Sequence, residues 1–179
     1  AQVVDGRIDL TGPDTVLPTT LDGEWSFHWG ALEDPTATPS DLGTMKTVPS
    51  RWKAGAGRPE ESRSGVATYR LMLKVPAESD LALYVPPIDS AYEIYLDGAL
   101  LGRNGTVSPH HEEVAIEEYS PQVFPFTVEG AEHRLVVHMA NFGYPRGGLD
   151  ESITVGYRDS LLARSRRETA FDLMLFGVL

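Results

Sequence analysis

The chain has 179 residues, of which 15 are Lys or Arg and 26 are Asp or Glu, for a formal net charge of −11. That balance works against a broad nucleic-acid-binding surface, because phosphates would be repelled. With 41% apolar residues, 23% charged residues and no cysteine, the composition excludes general disorder, disulfides, thiolate metal sites and a Cys nucleophile. The length suits one large domain, or one domain with an appendage.

The opening Ala1-Gln2 is no start-codon product and fits either cleavage after a signal peptide or a cloning boundary. Strand signals then dominate as far as residue 157. Early candidates are residues 7–10, 25–29 and 45–48. Trp25, Phe27 and Trp29 recur at period two, which predicts a core face, with sugar stacking as the alternative. Tyr69, Leu71, Leu73 and Val75 alternate with Arg70, Met72 and Lys74, and Leu81, Leu83 and Val85 alternate with Ala82 and Tyr84. Both runs predict half-buried antiparallel strands.

Tyr92, Ile94 and Leu96 run into Asp97-Gly98, a dipeptide that favours the positive φ of a tight hairpin turn, before Ala99-Leu100-Leu101. Leu135, Val137 and Met139 repeat the pattern up to Asn141. Asn141 continues their inward phase, so it reads as a buried amide tying a loop or as a ligand contact. Ile153, Val155 and Tyr157 form the last short strand. Loops rich in Pro, Gly and Ser occupy residues 34–43, 53–65, 102–120 and 142–150. About nine strands without intervening helical patterns predict an all-β fold, a two-sheet antiparallel jelly-roll sandwich over residues 1–157.

The tail changes character. Asp159 or Ser160 can cap a helix, and neither Pro nor Gly follows until Gly177, so one helix is expected over residues 158–179. Its last ten residues carry Asp172 as their one charged group, but a bilayer span needs roughly 20 apolar residues. Two readings stay open: a helix packed in the sandwich core, or the truncated start of a transmembrane helix. On the second reading Arg164, Arg166 and Arg167 would face lipid phosphates, and the exposed apolar face would pair with a second copy.

No nucleophile elbow, phosphate loop or dinucleotide fingerprint occurs. His110-His111-Glu112-Glu113 comes closest to a metal pattern, but a zinc-binding helix needs His at position 115, which is Ala. Residues 109–118 therefore read as a solvated acidic loop, with an opportunistic divalent-cation site as the alternative. No cofactor or metal is expected. A glycosidase needs two carboxylates at a set separation, and sequence singles out no pair.

Two places are candidates for a small polar ligand. The loop end brings Trp52, Asp89, His110, His111, Tyr144 and Arg146, and a sheet face brings Arg70 with Tyr84, Glu93 and Tyr95. The loop end is preferred, because Tyr144 and Arg146 offer a flat stacking surface beside a charged donor. The plainer readings are that Arg146 pairs with Asp150 and that Asp89 satisfies loop amides.

Several segments carry a family likeness in order. Leu21-Asp22-Gly23-Glu24-Trp25-Ser26-Phe27, Val48-Pro49-Ser50-Arg51-Trp52, Ala67-Thr68-Tyr69-Arg70 and residues 90–105 resemble the sugar-binding, galactose-binding-like jelly roll of family 2 glycoside hydrolases. Pro86-Pro87-Ile88-Asp89-Ser90-Ala91-Tyr92, Asn104-Gly105, Phe124-Pro125-Phe126, Ala140-Asn141-Phe142 and Gly147-Gly148-Leu149 more closely resemble the extracellular sensor domain of bacterial seven-transmembrane receptors with diverse intracellular signalling modules. In the tail, residues 168–177 resemble that family's first membrane helix. The second resemblance implies a non-catalytic periplasmic sensor, anchored through residues beyond the C-terminus, that binds a carbohydrate or other small polar ligand and reports to a cytoplasmic module. The first implies an accessory carbohydrate-binding module of a glycosidase.

Overall fold

The computed structural model of the chain describes residues 1–38, 43–53 and 64–175. Within them the strands are β1 (Arg7–Asp9), β2 (Thr19–Thr20), β3 (Gly23–Trp29), β4 (Thr44–Val48), β5 (Gly65–Lys74), β6 (Ser79–Val85), β7 (Ala91–Leu96), β8 (Ala99–Asn104), β9 (Gln122–Val128), β10 (Glu132–Asn141) and β11 (Thr154–Tyr157), followed by helix α1 (Arg158–Leu175). The larger sheet runs β4-β3-β5-β10-β7-β8 and the smaller β2-β11-β6-β9. All pairings between these strands are antiparallel except that of β1, which lies parallel to β5 at Met72–Lys74, beyond the stretch that β3 occupies at Ala67–Arg70.

The period-two alternation places the core between the sheets. Trp25, Phe27, Tyr69, Leu71, Leu135, Val137 and Ile94 project from the larger sheet onto Leu81, Leu83, Val85 and Val155 of the smaller, all buried in one cluster. Full burial of a large side chain contributes about 1.5–3 kcal/mol, so this face drives the fold. The expected sandwich and its hairpin are found: Asp97 and Gly98 both take positive φ, 51° and 85°.

Two strands escape the periodicity reading. β2 has only two residues, and β9 contains Pro125. Proline cannot donate to a sheet ladder and is tolerated at an edge, and β9 is the outermost strand of the smaller sheet. Much of the expected 53–65 loop lies outside the described residues, as do 39–42 and 176–179.

Helix α1 lies neither in the core nor free of the body. It packs on the outer face of the smaller sheet, where Leu161 joins Ala82, Tyr84 and Val123. The Tyr84 hydroxyl donates to Glu168 at 2.6 Å, Arg164 Nε donates to the same carboxylate at 2.9 Å, and the Arg164 guanidinium sits 4.1 Å from the centre of the Tyr84 ring. Tyr84, expected beside Arg70, thus belongs to the other sheet. β5 and β6 are consecutive in sequence but the chain crosses between layers at Val75–Glu78. Towards its end α1 exposes Phe171 and Met174, 62% and 69% accessible. Among the described residues no helix is long and apolar enough to cross a membrane.

Candidate functional site

Three loops meet at the end of the sandwich where β5 begins and β10 finishes. The 142–150 loop is anchored by Asn141, buried in the inward phase of β10, whose amide accepts from the Tyr144 N–H and donates to the Tyr144 carbonyl, both at 3.0 Å. The buried-amide reading of Asn141 therefore holds. Beyond it Gly148 takes φ 104°, and a Cβ there would press on Trp52 and the Ser50 carbonyl, so glycine allows the loop to lie against the chain after β4. Backbone bonds from Ser50 to Leu149 and from Trp52 to Gly147, each 2.8 Å, complete that seam.

Arg146 is the hub of the exposed surface. Its Nε donates to Asp89 Oδ2 at 2.9 Å and its Nη2 to the Tyr119 hydroxyl at 3.4 Å. This links the 86–90, 106–120 and 142–150 loops. A second link comes from His111, whose ring meets Phe142 edge-on at 5.6 Å. Tyr119 and Tyr144 remain 59% and 48% accessible. The 106–120 loop is itself braced by Asn104, which exchanges two hydrogen bonds with the Glu118 backbone.

The alternative Arg146–Asp150 pair is not formed: Arg146 pairs with Asp89, while Asp150 faces Arg51 at 3.4 Å. Burial pushes the Asp150 carboxyl above its ordinary value, against the opposing pull of Arg146 and Arg51. Of the residues expected at the loop end, Asp89, His111, Tyr144 and Arg146 share this surface, and His110 stands exposed at the start of a short 3-10 helix (His111–Glu113). Trp52 does not reach it. That indole is 2% accessible, packs edge-on to Trp29, and donates its N–H to the Tyr69 hydroxyl at 2.8 Å. Tyr119 was missed by sequence reasoning, because only the meeting of separate loops reveals its partner. Among the described residues no three His, Asp or Glu side chains are gathered to hold a metal ion.

Arg70 lies elsewhere, on the outer face of the larger sheet. Register places it beside Val136 and Tyr95, with Thr68, His138 and Glu93 in the next row. The segment at residues 31–38 crosses this face as a strap. Thr68 Oγ1 donates to the Ala31 carbonyl, Arg70 Nη2 to that of Asp34, and Arg134 to those of Thr36 and Ala37. A His138 ring nitrogen lies 2.7 Å from the Glu33 carbonyl. Arg70 Nε also donates to the Glu33 carboxylate at 3.0 Å. Tyr95, half-buried and bonded to Glu93, has its hydroxyl pushed up to about 12, first by desolvation and then by that carboxylate. These side chains hold the strap down.

No protein-family model matches the chain, and no curated protein does. Solved structures do match in fold. A beta-glucuronidase from an uncultured Clostridium sp. superposes with TM-score 0.60 at 16% identity, over 84% of this chain and 31% of that one. Faecalibacterium prausnitzii beta-glucuronidase gives 0.58 at 15% identity, over 78% and 31%. A GH2 beta-galacturonidase from Eisenbergiella tayi, bound to galacturonate, gives 0.52 at 16% identity, over 84% and 26%. The chain thus spans less than a third of the length of these proteins, and what it shares with them is the β-sandwich fold.

Proposed function

We propose that the chain is a non-catalytic carbohydrate-binding domain of the accessory kind, holding its sugar at the loop end. The observation that carries this reading is the Asp89–Arg146–Tyr119 chain of hydrogen bonds across three loops. A carboxylate that accepts from hydroxyls, a guanidinium that donates to ring or hydroxyl oxygens, and exposed tyrosines for the C–H face of a pyranose are the groups sugar recognition requires. The fold likeness to glucuronidases and a galacturonidase supports the ligand class. Calorimetry with neutral mono- and oligosaccharides tests it: wild type binds, and Arg146→Ala and Asp89→Ala each weaken binding about tenfold or more, as loss of a charge-assisted hydrogen bond implies. Absence of binding by wild type, or full binding by Arg146→Ala, overturns the reading.

A second reading is favoured by α1. A ligand-sensing domain on the periplasmic side of a bacterial inner membrane would need a rigid outlet from its sandwich, and α1 follows β11 directly, is latched to the smaller sheet through Tyr84, Arg164 and Glu168, and ends with Phe171 and Met174 uncovered. Sequence following Leu179 discriminates. Seven apolar spans of about 20 residues support the sensor, and a further β-sandwich supports the accessory module.

A further inference from the structure

The outer face of the larger sheet carries a cavity of about 440 Å³ lined by Asp5, Arg7, Arg70, Met72, Asp97, Glu132 and Arg134, among others. It opens beside a second hollow of about 400 Å³ that shares Arg7, Met72 and Glu132 and adds Lys74 and Asp9. Register explains the grouping. Arg7, Met72 and Arg134 are direct cross-strand partners on β1, β5 and β10, so their side chains leave the same face in one row. An Asp-Gly turn stands near each end: Asp5-Gly6, with φ 48° and 68°, before Arg7, and Asp97-Gly98 beyond Arg134. The strap supplies a further wall at Thr38.

Charge is unevenly spent within this groove. Arg7 has no side-chain partner among the described residues. The Arg134 guanidinium gives two nitrogens to strap carbonyls and meets no carboxylate among the described residues, and its Nε is buried without an acceptor. Arg70 is paired with Glu33, but its Nη1 is likewise buried without an acceptor. Of the acids, Asp97 is engaged by His133 at 2.7 Å and by the Arg134 amide at 2.8 Å. Asp5 and Glu132 are exposed at the rim, where water screens them. The groove thus matches three arginines with three acids, yet two of its guanidinium nitrogens, Arg70 Nη1 and Arg134 Nε, are left without an acceptor and Arg7 stands exposed at its edge.

We propose that this groove is a second ligand site, for an acidic sugar. The carboxylate sits against Arg7 within the field of Arg70 and Arg134, the half-buried Met72 side chain underlies the ring, and the carboxylates of Glu132 and Asp5 accept from its hydroxyls. A neutral sugar leaves Arg7 unmatched, and a bare anion leaves the rim acids opposed to it. The site shares with the loop end only its sugar class and not its residues.

The test compares D-glucuronate and D-galacturonate with D-glucose, D-galactose and acetate by calorimetry on wild type, Arg7→Gln and Arg146→Ala. Arg7 is exposed and has no side-chain partner among the described residues, so Arg7→Gln keeps the fold, which denaturation verifies. The uronates bind wild type about tenfold or more tightly than either the neutral sugars or acetate; that preference disappears in Arg7→Gln and persists in Arg146→Ala. Equal binding of acid and neutral sugars, acetate matching the uronates, or a preference that survives Arg7→Gln overturns the site. A preference lost only in Arg146→Ala also overturns it and moves the acid to the loop end. Failure of neutral sugars to bind bears on the loop-end proposal alone.

Discussion

Tyr69 answers to two constraints at once. Its ring packs 4.9 Å from Phe27 and edge-on to Trp25, while its hydroxyl accepts from Trp52 Nε1 and, at 3.4 Å, from the Leu149 amide. Tyr69→Phe keeps the ring but strands two buried donors, so stability should fall by about 1–3 kcal/mol in chemical denaturation, followed by tryptophan fluorescence. Leu135 is fully buried and purely apolar. Leu135→Ala should cost about 2–5 kcal/mol through the cavity it leaves, measured the same way. Alternation alone assigns both residues inward, because strand side chains switch faces at every step. The Trp52–Tyr69 bond and the Asp89–Arg146 pair were not legible, since each joins positions whose meeting depends on how loops fold back over the sheet.

At the scale of elements, β10 carries two histidines with opposite electrostatic consequences. Burial pulls His133 down, but the Asp97 carboxylate and the Gly130 carbonyl outweigh it and leave its pKa raised. Its contribution to stability is present in full below the unfolded value near 6.5 and is lost as pH rises through the folded value. His138, under the strap, is pulled down by desolvation despite the Glu33 carbonyl and Glu93. Its neutral form is the favoured one, so stability is kept above about pH 6.5 and lost as pH falls through the folded value. Denaturation at about pH 5.5 and 8.5 separates them: wild type outperforms His133→Gln by more at the lower pH and His138→Gln by more at the higher. Helix α1 allows a cleaner deletion. Because it packs outside the core, removing residues 168–179 should cut the Tyr84–Glu168 latch and lower the melting temperature while the sandwich still unfolds cooperatively. Loss of the cooperative transition would show that the helix is integral to the fold.

At the scale of the molecule, the sequence carries phase better than layer. Alternation marks which side chains of β5, β6, β7 and β10 face inward, and the two sheets follow from pairing those faces. It does not say which sheet a strand joins, and for this reason Arg70 and Tyr84, one outward residue from each of two consecutive strands, end on opposite outer surfaces. The Asp5-Gly6 turn was legible in principle, being the same dipeptide as Asp97-Gly98. It precedes the candidate strand at residues 7–10, of which the structure keeps Arg7–Asp9 as β1. Two candidate binding surfaces result, one where the loops converge and one across the sheet toward the opposite end of β5.

The strap over the larger sheet is gripped almost entirely through its own main-chain carbonyls. Its sequence is therefore nearly free to drift, because any residue supplies a carbonyl, whereas the gripping side chains are not replaceable. Saturation mutagenesis read out by folded yield should show broad tolerance across residues 31–38. The exceptions expected are Glu33, whose carboxylate pairs with Arg70, and Asp34, whose side chain caps the Thr36 turn. Intolerance should concentrate at Thr68, Arg70, Arg134 and His138. The code for this loop would then be written in the strands beneath it, and two homologues could look unrelated along the strap yet hold it in the same place.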